Sequence, residues 1–398
     1  MVGYLIRRFF QGIALTLIAG LVIYTILVIL MPGGPNWTYK AIVDLPPNNG
    51  IIDEPTRKTR VERLERTFKL DRPWPVNYMA WLFDTNEATL PTALNENFEV
   101  VPKPAVDFKL GDLRLRGAGA LTGQFGDSER LYAGEPVSEV IGSRLGSTLT
   151  LVGSALLITL LFAIPIGVIA AAKQHSKLDH AVTFLSFAGL SIPPFWLGLL
   201  FILFLAVLPK QWHDQFGWDW LPYLPPGNIS DVDGNWLNHL YHLVLPVTTL
   251  ALIHVASMAR YIRFSMLDVL KQDYIRTARA KGLGPMRVVL KHALRNALLP
   301  LITVVGVTLP GLASGSIIIE TVFNYIGVGQ LFFRALGACL AIDGTNSCPK
   351  ETFGFPFDYP IALTMALLMV AVVALSNILA DILYALADPR IDYSAERH

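Results

Sequence analysis

Cysteine and charge are the two scarcities of this 398-residue chain. Only two cysteines occur and 16% of residues are charged, against 53% apolar residues and a mean hydropathy of +0.47. So few thiols exclude a disulfide-rich secreted scaffold and a thiolate metal cluster. The net charge is +1, which leaves no bulk attraction for nucleic acid or for a strongly acidic partner. Motifs are missing as well. There is no Gly-x-x-x-x-Gly-Lys-Ser/Thr phosphate loop, so the chain does not bind ATP by that route. His-Glu-x-x-His, Gly-x-Ser-x-Gly and Cys-x-x-Cys are also absent. Their absence removes the common zinc-hydrolase, serine-hydrolase and dithiol chemistries, and the chain reads as no enzyme. His239 and His242 at spacing three, with His213 nearby, lack a firm third ligand. Interfacial histidines are the preferred reading there, and no metal site is assigned.

What is present is apolar length. A membrane span needs about 20 mostly apolar residues, and six stretches qualify: 9–31, 149–172, 181–208, 243–261, 297–319 and 359–386. The fold class is therefore all-α and polytopic, with membrane lipid as its surroundings. The first stretch is longer than a signal-peptide core and no small-x-small cleavage site follows Met31, so it reads as an uncleaved anchor. Six spans put both termini on one side. Arg7 and Arg8 precede the first span, Lys173 and Lys177 follow the second, and nine Lys/Arg lie from Arg260 to Arg295. The intervening short loops hold only Lys210 in one case and Arg334 with Lys350 in the other. Lys/Arg-rich short loops stay inside, so both termini are expected in the cytoplasm.

The expected organisation is an N-terminal span over 1–31, an extracytoplasmic insertion over 32–143, a five-helix core over 144–388 and a tail over 389–398. Within the insertion, Met31-Pro32-Gly33-Gly34-Pro35 ends the first helix. Val61, Leu64 and Phe68 suit a charged amphipathic helix over 56–69, and an aromatic helix begins within 70–82. Alternation at Val106, Phe108, Leu110, Leu113 and Leu115 predicts a small hairpin, giving the insertion mixed α/β character.

The most informative segment runs from Asp273 to Pro300. Two short helices are expected to meet at Gly282-Leu283-Gly284-Pro285, where glycine suits a C-terminal cap and proline the next first turn. Ala278, Ala280 and Gly282 offer a small-residue face ringed by Arg276, Arg279, Lys281, Arg287, Lys291 and Arg295. This is a docking knob within a cytoplasmic segment, 264–296. It resembles the loop that permease subunits of ATP-binding-cassette importers insert into their ATPases. Ala278-Arg279-Ala280-Lys281-Gly282 followed by His292-Ala293-Leu294-Arg295-Asn296 is similar to the dipeptide/oligopeptide branch. The chain departs from the general pattern where Arg276-Thr277-Ala278 stands for Glu-Ala-Ala and Arg295 for a proline.

Further wording agrees with a B-type permease of that branch. Leu70-Asp71-Arg72-Pro73 precedes the aromatic helix, and Ser191-Ile192-Pro193-Pro194-Phe195-Trp196-Leu197-Gly198 lies in the third span. The stretch Thr321 to Leu331 follows Glu320, and Ala387-Asp388-Pro389-Arg390-Ile391-Asp392 ends the last span. Prolines 193 and 194 read either as a kink lining the path or as packing geometry. Gly311 and Gly315 form a small-xxx-small face. Glu320 is expected to be exposed or hydrogen-bonded to the half-helix after it, and Asp381 to cap or pair near the cytoplasmic face.

The resemblance implies the fold of a type I importer permease and a role as half of a peptide translocation pathway. Its implied partners are a second homologous permease, two ATPases carrying ATP and Mg, and an extracytoplasmic solute-binding protein. ATPase coupling would fall to Arg276, Thr277, Ala278, Arg279, Ala280, Lys281, Gly282, Leu283 and Gly284. Small and polar residues of the spans are candidates for the substrate path: Ser154, Thr159, Ser191, Thr248, Ser257, Thr303, Ser314 and Asn377. Each has the alternative of bonding its own helix backbone. An importer for nickel chelates, oligosaccharides or haem on the same scaffold remains an alternative, as does an ATP-independent carrier or channel. Cys339 and Cys348 suggest a disulfide in an oxidising compartment, worth roughly 2.5–3 kcal/mol on a chain-entropy account. The other reading is two unrelated thiols.

Overall fold

Long apolar runs without water can satisfy their backbone only as helices, and helices dominate. A computed structural model describes residues 2–30, 78–79, 82, 107–110, 113–116, 125, 131–132, 135–217, 222–227, 236–336 and 358–387. Side-chain surroundings are described within these except at 2–5, 27–30, 107–116, 236, 299, 302, 303, 307, 359 and 384–387. The chain begins with α1 (Val2–Leu30). A two-stranded antiparallel hairpin follows, β1 (Asp107–Leu110) with β2 (Leu113–Arg116). Phe108 stands opposite Leu115 and Leu110 opposite Leu113, within the stretch where the alternating pattern predicts a hairpin. The amphipathic helix expected over 56–69, the turn at 31–35 and both cysteines lie outside the described residues.

Next come α2 (Val137–Ala172) and α3 (Lys177–Ser191). Then α4 (Pro194–Phe201) continues through a π-helical turn at Ile202–Val207 into α5 (Leu208–Phe216). The long α6 (Trp236–Leu270) leads to α7 (Asp273–Ala280) and α8 (Pro285–Arg287). A second π-turn at Val288–Ala293 passes into α9 (Leu294–Ala297). The chain continues through α10 (Leu299–Val322), α11 (Val328–Ala335) and α12 (Tyr359–Ala387).

Among the described residues six helical stretches are long and apolar enough to cross a membrane: Ile6–Ile26, Val137–Ala172, Pro194–Phe216, Leu237–Leu270, Val304–Val322 and Pro360–Leu383. Five overlap the expected spans, the second starting earlier, at Val137, and the fourth running further, from Leu237 to Leu270. The third is displaced, because the helix expected through 181–208 breaks. Ile192 (φ −88°, ψ 123°) and Pro193 (φ −60°, ψ 136°) are extended, and Pro194 starts a new helix. A residue before proline is pushed out of the α region, and two consecutive prolines apply that constraint twice. The result is a break, not a kink within one helix.

The structure comprises two compact units, one of Met1–Ile13, Gly146–Gln330 and Ala371–His398, the other of Ala14–Leu145 and Leu331–Val370. The first has two apolar cores. One gathers Leu151, Leu245, Leu250, Leu312 and Phe323. The other gathers Ala163 and Val168 of α2, Met258, Ile262 and Met266 of α6, and Ile275, Ala278, Val288 and Ala293 of the α7–α9 segment. In the second unit Tyr24, Tyr78, Leu82, Leu363 and Leu367 pack together, and Tyr78 Oη donates to Leu17 O at 2.9 Å. Asp358, fully buried, precedes α12 and accepts from the Leu131 amide at 3.0 Å.

Candidate coupling segment and transport path

The α7–α8 junction is built from its sequence outward. Gly282 has φ +74°, a left-handed conformation that glycine adopts without Cβ cost. Its amide donates to Arg279 O at 2.9 Å, and the Leu283 amide donates to Ala278 O at 3.4 Å. This paired pattern closes the helix as a Schellman motif, with the Leu283–Ala278 apolar contact that accompanies it. Gly284 then caps the next helix, Pro285 takes its first position, and the Val288 amide reaches Gly284 O at 3.1 Å.

Two faces result. Ile275, Ala278, Val288 and Ala293 point inward and are buried. Ser265 Oγ donates to Ala297 O at 3.0 Å, and Asn296 Nδ2 to Tyr274 Oη at 2.9 Å, which tie the segment to α6 and to itself. Outward stand Arg276, Thr277, Arg279, Ala280, Lys281, Gly282 and Gly284, all exposed, with Arg287, Lys291 and Arg295. Met286 at the tip is 70% exposed. The small-residue face expected of Ala278, Ala280 and Gly282 is therefore split. Ala278 sits 200° around the helix from Ala280 and belongs to the core, while Leu283 is half-buried. Asp273 pairs with Arg276 at 3.5 Å, a fully wet contact of little energetic weight.

Few of the predicted path residues offer a free hydroxyl. Ser191 donates to Phe187 O, Thr248 to Val244 O, Ser257 to His254 O and Ser314 to Gly311 O. Thr159, fully buried, donates across to Ala251 O at 3.4 Å. Ser154 is half-buried and Asn377 exposed. The Thr303 side chain lies outside the described residues. In an apolar setting a hydroxyl takes the nearest carbonyl, and the preceding turn of helix supplies one at i−3 or i−4. Gly311 and Gly315 face α6, at His254 and Leu250.

Two buried acidic groups carry geometry the sequence reading did not resolve. Asp179 of α3 is 2% exposed. Its carboxylate accepts a two-pronged contact from Arg263 of α6, through Nε to Oδ1 and through Nη2 to Oδ2 at 2.8 Å. The His175 amide adds a bond at 3.0 Å, and Ser176 caps the helix by accepting from the Asp179 amide. The hydrogen bond from Arg263 holds the Asp179 carboxyl below its usual range, against the opposing effect of burial. Ser176 followed by Asp179 has a capping-box spacing, a local signal that marks the start of α3 but carries nothing of the Arg263 contact. Glu320 of α10 is fully buried and hydrogen-bonded to the start of α11, which realises the bonded alternative and not exposure. Arg8 Nε lies 3.0 Å from Asp381 Oδ2 as an ion pair. Among the described residues no cluster of three or more His, Cys, Asp or Glu is arranged to hold a metal.

Comparison with known proteins now gives these features a family. Residues 163–393 match the family described as "Binding-protein-dependent transport system inner membrane component". The oligopeptide transport system permease protein AppB of Bacillus subtilis (strain 168) is 41% identical over 273 residues, covering 68% of this chain and 77% of that protein. A putative peptide permease of Brucella suis biovar 1 is 33% identical over 391 residues, covering 98% of this chain and 99% of that protein. The dipeptide transport system permease protein DppB of Escherichia coli (strain K12) is 35% identical over 278 residues, covering 64% and 74%. A solved inward-facing MetNI methionine ABC transporter aligns at TM-score 0.45 and 18% identity over 63% of this chain and 97% of that chain, too loose a likeness to carry an argument. The family match spans more than half of the sequence and the Brucella relative nearly all of it, so the chain belongs to the binding-protein-dependent transport system inner membrane components.

Proposed function

We propose that this chain is the transmembrane permease subunit of an ATP-driven importer of dipeptides or oligopeptides. It forms half of the translocation pathway beside a second, homologous permease. Two cytoplasmic ATPases bind and hydrolyse ATP with Mg, and this chain makes and breaks no covalent bond itself. A solute-binding protein delivers substrate from outside the membrane. Both termini are cytoplasmic.

The observation that carries this reading is the α7–α9 segment. Its outer face is cationic and exposed, with Met286 at the tip, and its inner face is part of the core shared with α2 and α6. A partner that pulls on the outer face must therefore move those helices, because packed cores switch between arrangements and do not stretch. ATP-driven closure of the ATPases would displace the segment and bias the bundle between inward- and outward-facing states. Peptide as cargo is supported by the names of the relatives, which include peptide permeases along nearly the full length.

Gly282→Asp tests the docking role. A Cβ there meets nothing within 4 Å, so the substitution adds about 1 kcal/mol of left-handed strain and one negative charge on a cationic surface. Peptide uptake in membrane vesicles should be lost, with the ATPases no longer co-purifying in full amount or no longer coupled. Unchanged uptake and assembly would refute the docking role.

A further inference from the structure

Glu320 poses a problem the transport reading leaves open. It is fully buried at the end of α10, and no cation pairs with it among the described residues. A carboxyl group in such a place is costly to bury unless its oxygens are hydrogen-bonded. Thr148 Oγ1 of α2 donates to Oε1 at 2.8 Å, and the Gln330 amide of α11 donates to Oε2 at 2.9 Å. Thr148 Oγ1 in turn accepts from the Val328 amide at 2.8 Å. One carboxylate and one hydroxyl thus satisfy two of the first amides of α11, groups that have no partner within their own helix.

The surroundings fit this knot. The Tyr325 amide donates to Glu320 O at 2.7 Å, and Tyr325 Oη donates to Ser147 O at 2.8 Å. Gln330 Nε2 donates to Asn324 Oδ1 at 2.7 Å. A Cβ on Gly329 would lie 2.8 Å from Glu320 Oε2, and one on Gly327 would lie 2.6 Å from Thr148 Oγ1. The turn can approach the carboxylate only because both positions lack a side chain.

The helices joined by the knot also hold the coupling segment. Ala163, Val168 and Ala171 of α2 and Leu301 of α10 share a core with Ile275, Ala278 and Val288. From Ala171 to Thr148, and from Leu301 to Glu320, each helix runs on the order of 30 Å. Pro165 interrupts one of them and Pro310 the other. Two levers share a driven end and a tied end.

We propose that Glu320 is a positioning residue for transport. Its bonds to Thr148 and Gln330 tie the far ends of α2 and α10 into one body, so that displacement at the coupling segment reaches the α10–α11 turn without being lost to sliding between the two helices. The inference rests on the permease reading above.

The test uses the full transporter in proteoliposomes, with ATP-dependent peptide uptake and both basal and binding-protein-stimulated ATPase measured for wild type, Glu320→Gln, Glu320→Ala and Thr148→Val. Glutamine can accept from the Gln330 amide through its oxygen and donate to Thr148 through its amide, so uptake should stay within about twofold of wild type. Alanine removes both bonds and Thr148→Val removes one with little change of shape. Both should assemble and keep basal ATPase while stimulated ATPase and uptake fall about tenfold or more. Three results would overturn the proposal with a working wild type. They are Glu320→Gln as inactive as Glu320→Ala, unchanged uptake in Glu320→Ala and Thr148→Val, or basal and stimulated ATPase falling together with assembly. A wild-type chain that forms no ATPase complex overturns the permease reading and this proposal with it.

Discussion

The Asp179–Arg263 clasp should be a large single contributor to the stability of the α3–α6 pair. Asp179→Ala deletes a carboxylate whose side chain is 3% exposed and leaves an Arg263 side chain that is 15% exposed. Removing one partner of a buried pair costs about 3–5 kcal/mol. The guanidinium keeps some access to water, and the α3 helix keeps its Ser176 cap, so the lower end, about 3 kcal/mol, is expected. Asp179→Asn keeps the shape and replaces charge-assisted bonds by neutral ones, for a loss of about 2 kcal/mol. In detergent, scanned at one fixed rate because membrane proteins unfold irreversibly, Asp179→Ala should lower the apparent Tm by about 5 °C. The coupling is isolated by a cycle with Arg263→Met. A coupling energy below about 0.5 kcal/mol would refute the clasp as an energetic unit. The pH dependence has a defined sign. The carboxyl of Asp179 is held below its ordinary value of 3.8 when folded. Its contribution is therefore fully present above that value and lost as pH falls through the lower folded one. The gap between wild type and Asp179→Asn should stay constant from pH 8 to 5 and narrow only below about pH 4.

Other outcomes follow from the same packing. Ile275→Ala opens a cavity at a fully buried site beneath α7, at a cost of about 2–4 kcal/mol, and should weaken ATPase co-purification while Arg276→Ala on the wet face changes Tm by less than about 0.5 kcal/mol equivalent. Equal losses of Tm in the two variants would argue against the inner face as the anchor. Gly167→Val places a side chain where even a Cβ lies 2.6 Å from Ala259 O and 2.8 Å from Ile262 Cβ. It should separate α2 from α6 and abolish accumulation of folded protein, read by fluorescence size-exclusion. Normal accumulation would show that the two helices tolerate a wider spacing.

Several features of this molecule were legible in one dimension. Apolar run length located the spans, since only helices satisfy a backbone in lipid. Gly282 and Pro285 bracketed the α7–α8 junction, because left-handed φ and a missing amide are properties of single residues. The alternation from Val106 to Leu115 marked a hairpin, and its register came from the structure. Tertiary structure decided the rest. Ala278 and Ala280 are the same residue type two positions apart, and only the location of α2 and α6 puts one in the core and the other in water. Asp179 and Arg263 are 84 residues apart in sequence, and Glu320 meets Thr148 across 172. Such pairs leave no local pattern, since their bonds depend on where two helices cross and not on either helix's own periodicity. The same reason governs the hydroxyls of the candidate path. Whether a serine faces a ligand or its own carbonyl depends on what stands beside it, which local propensity and hydrophobic spacing do not encode.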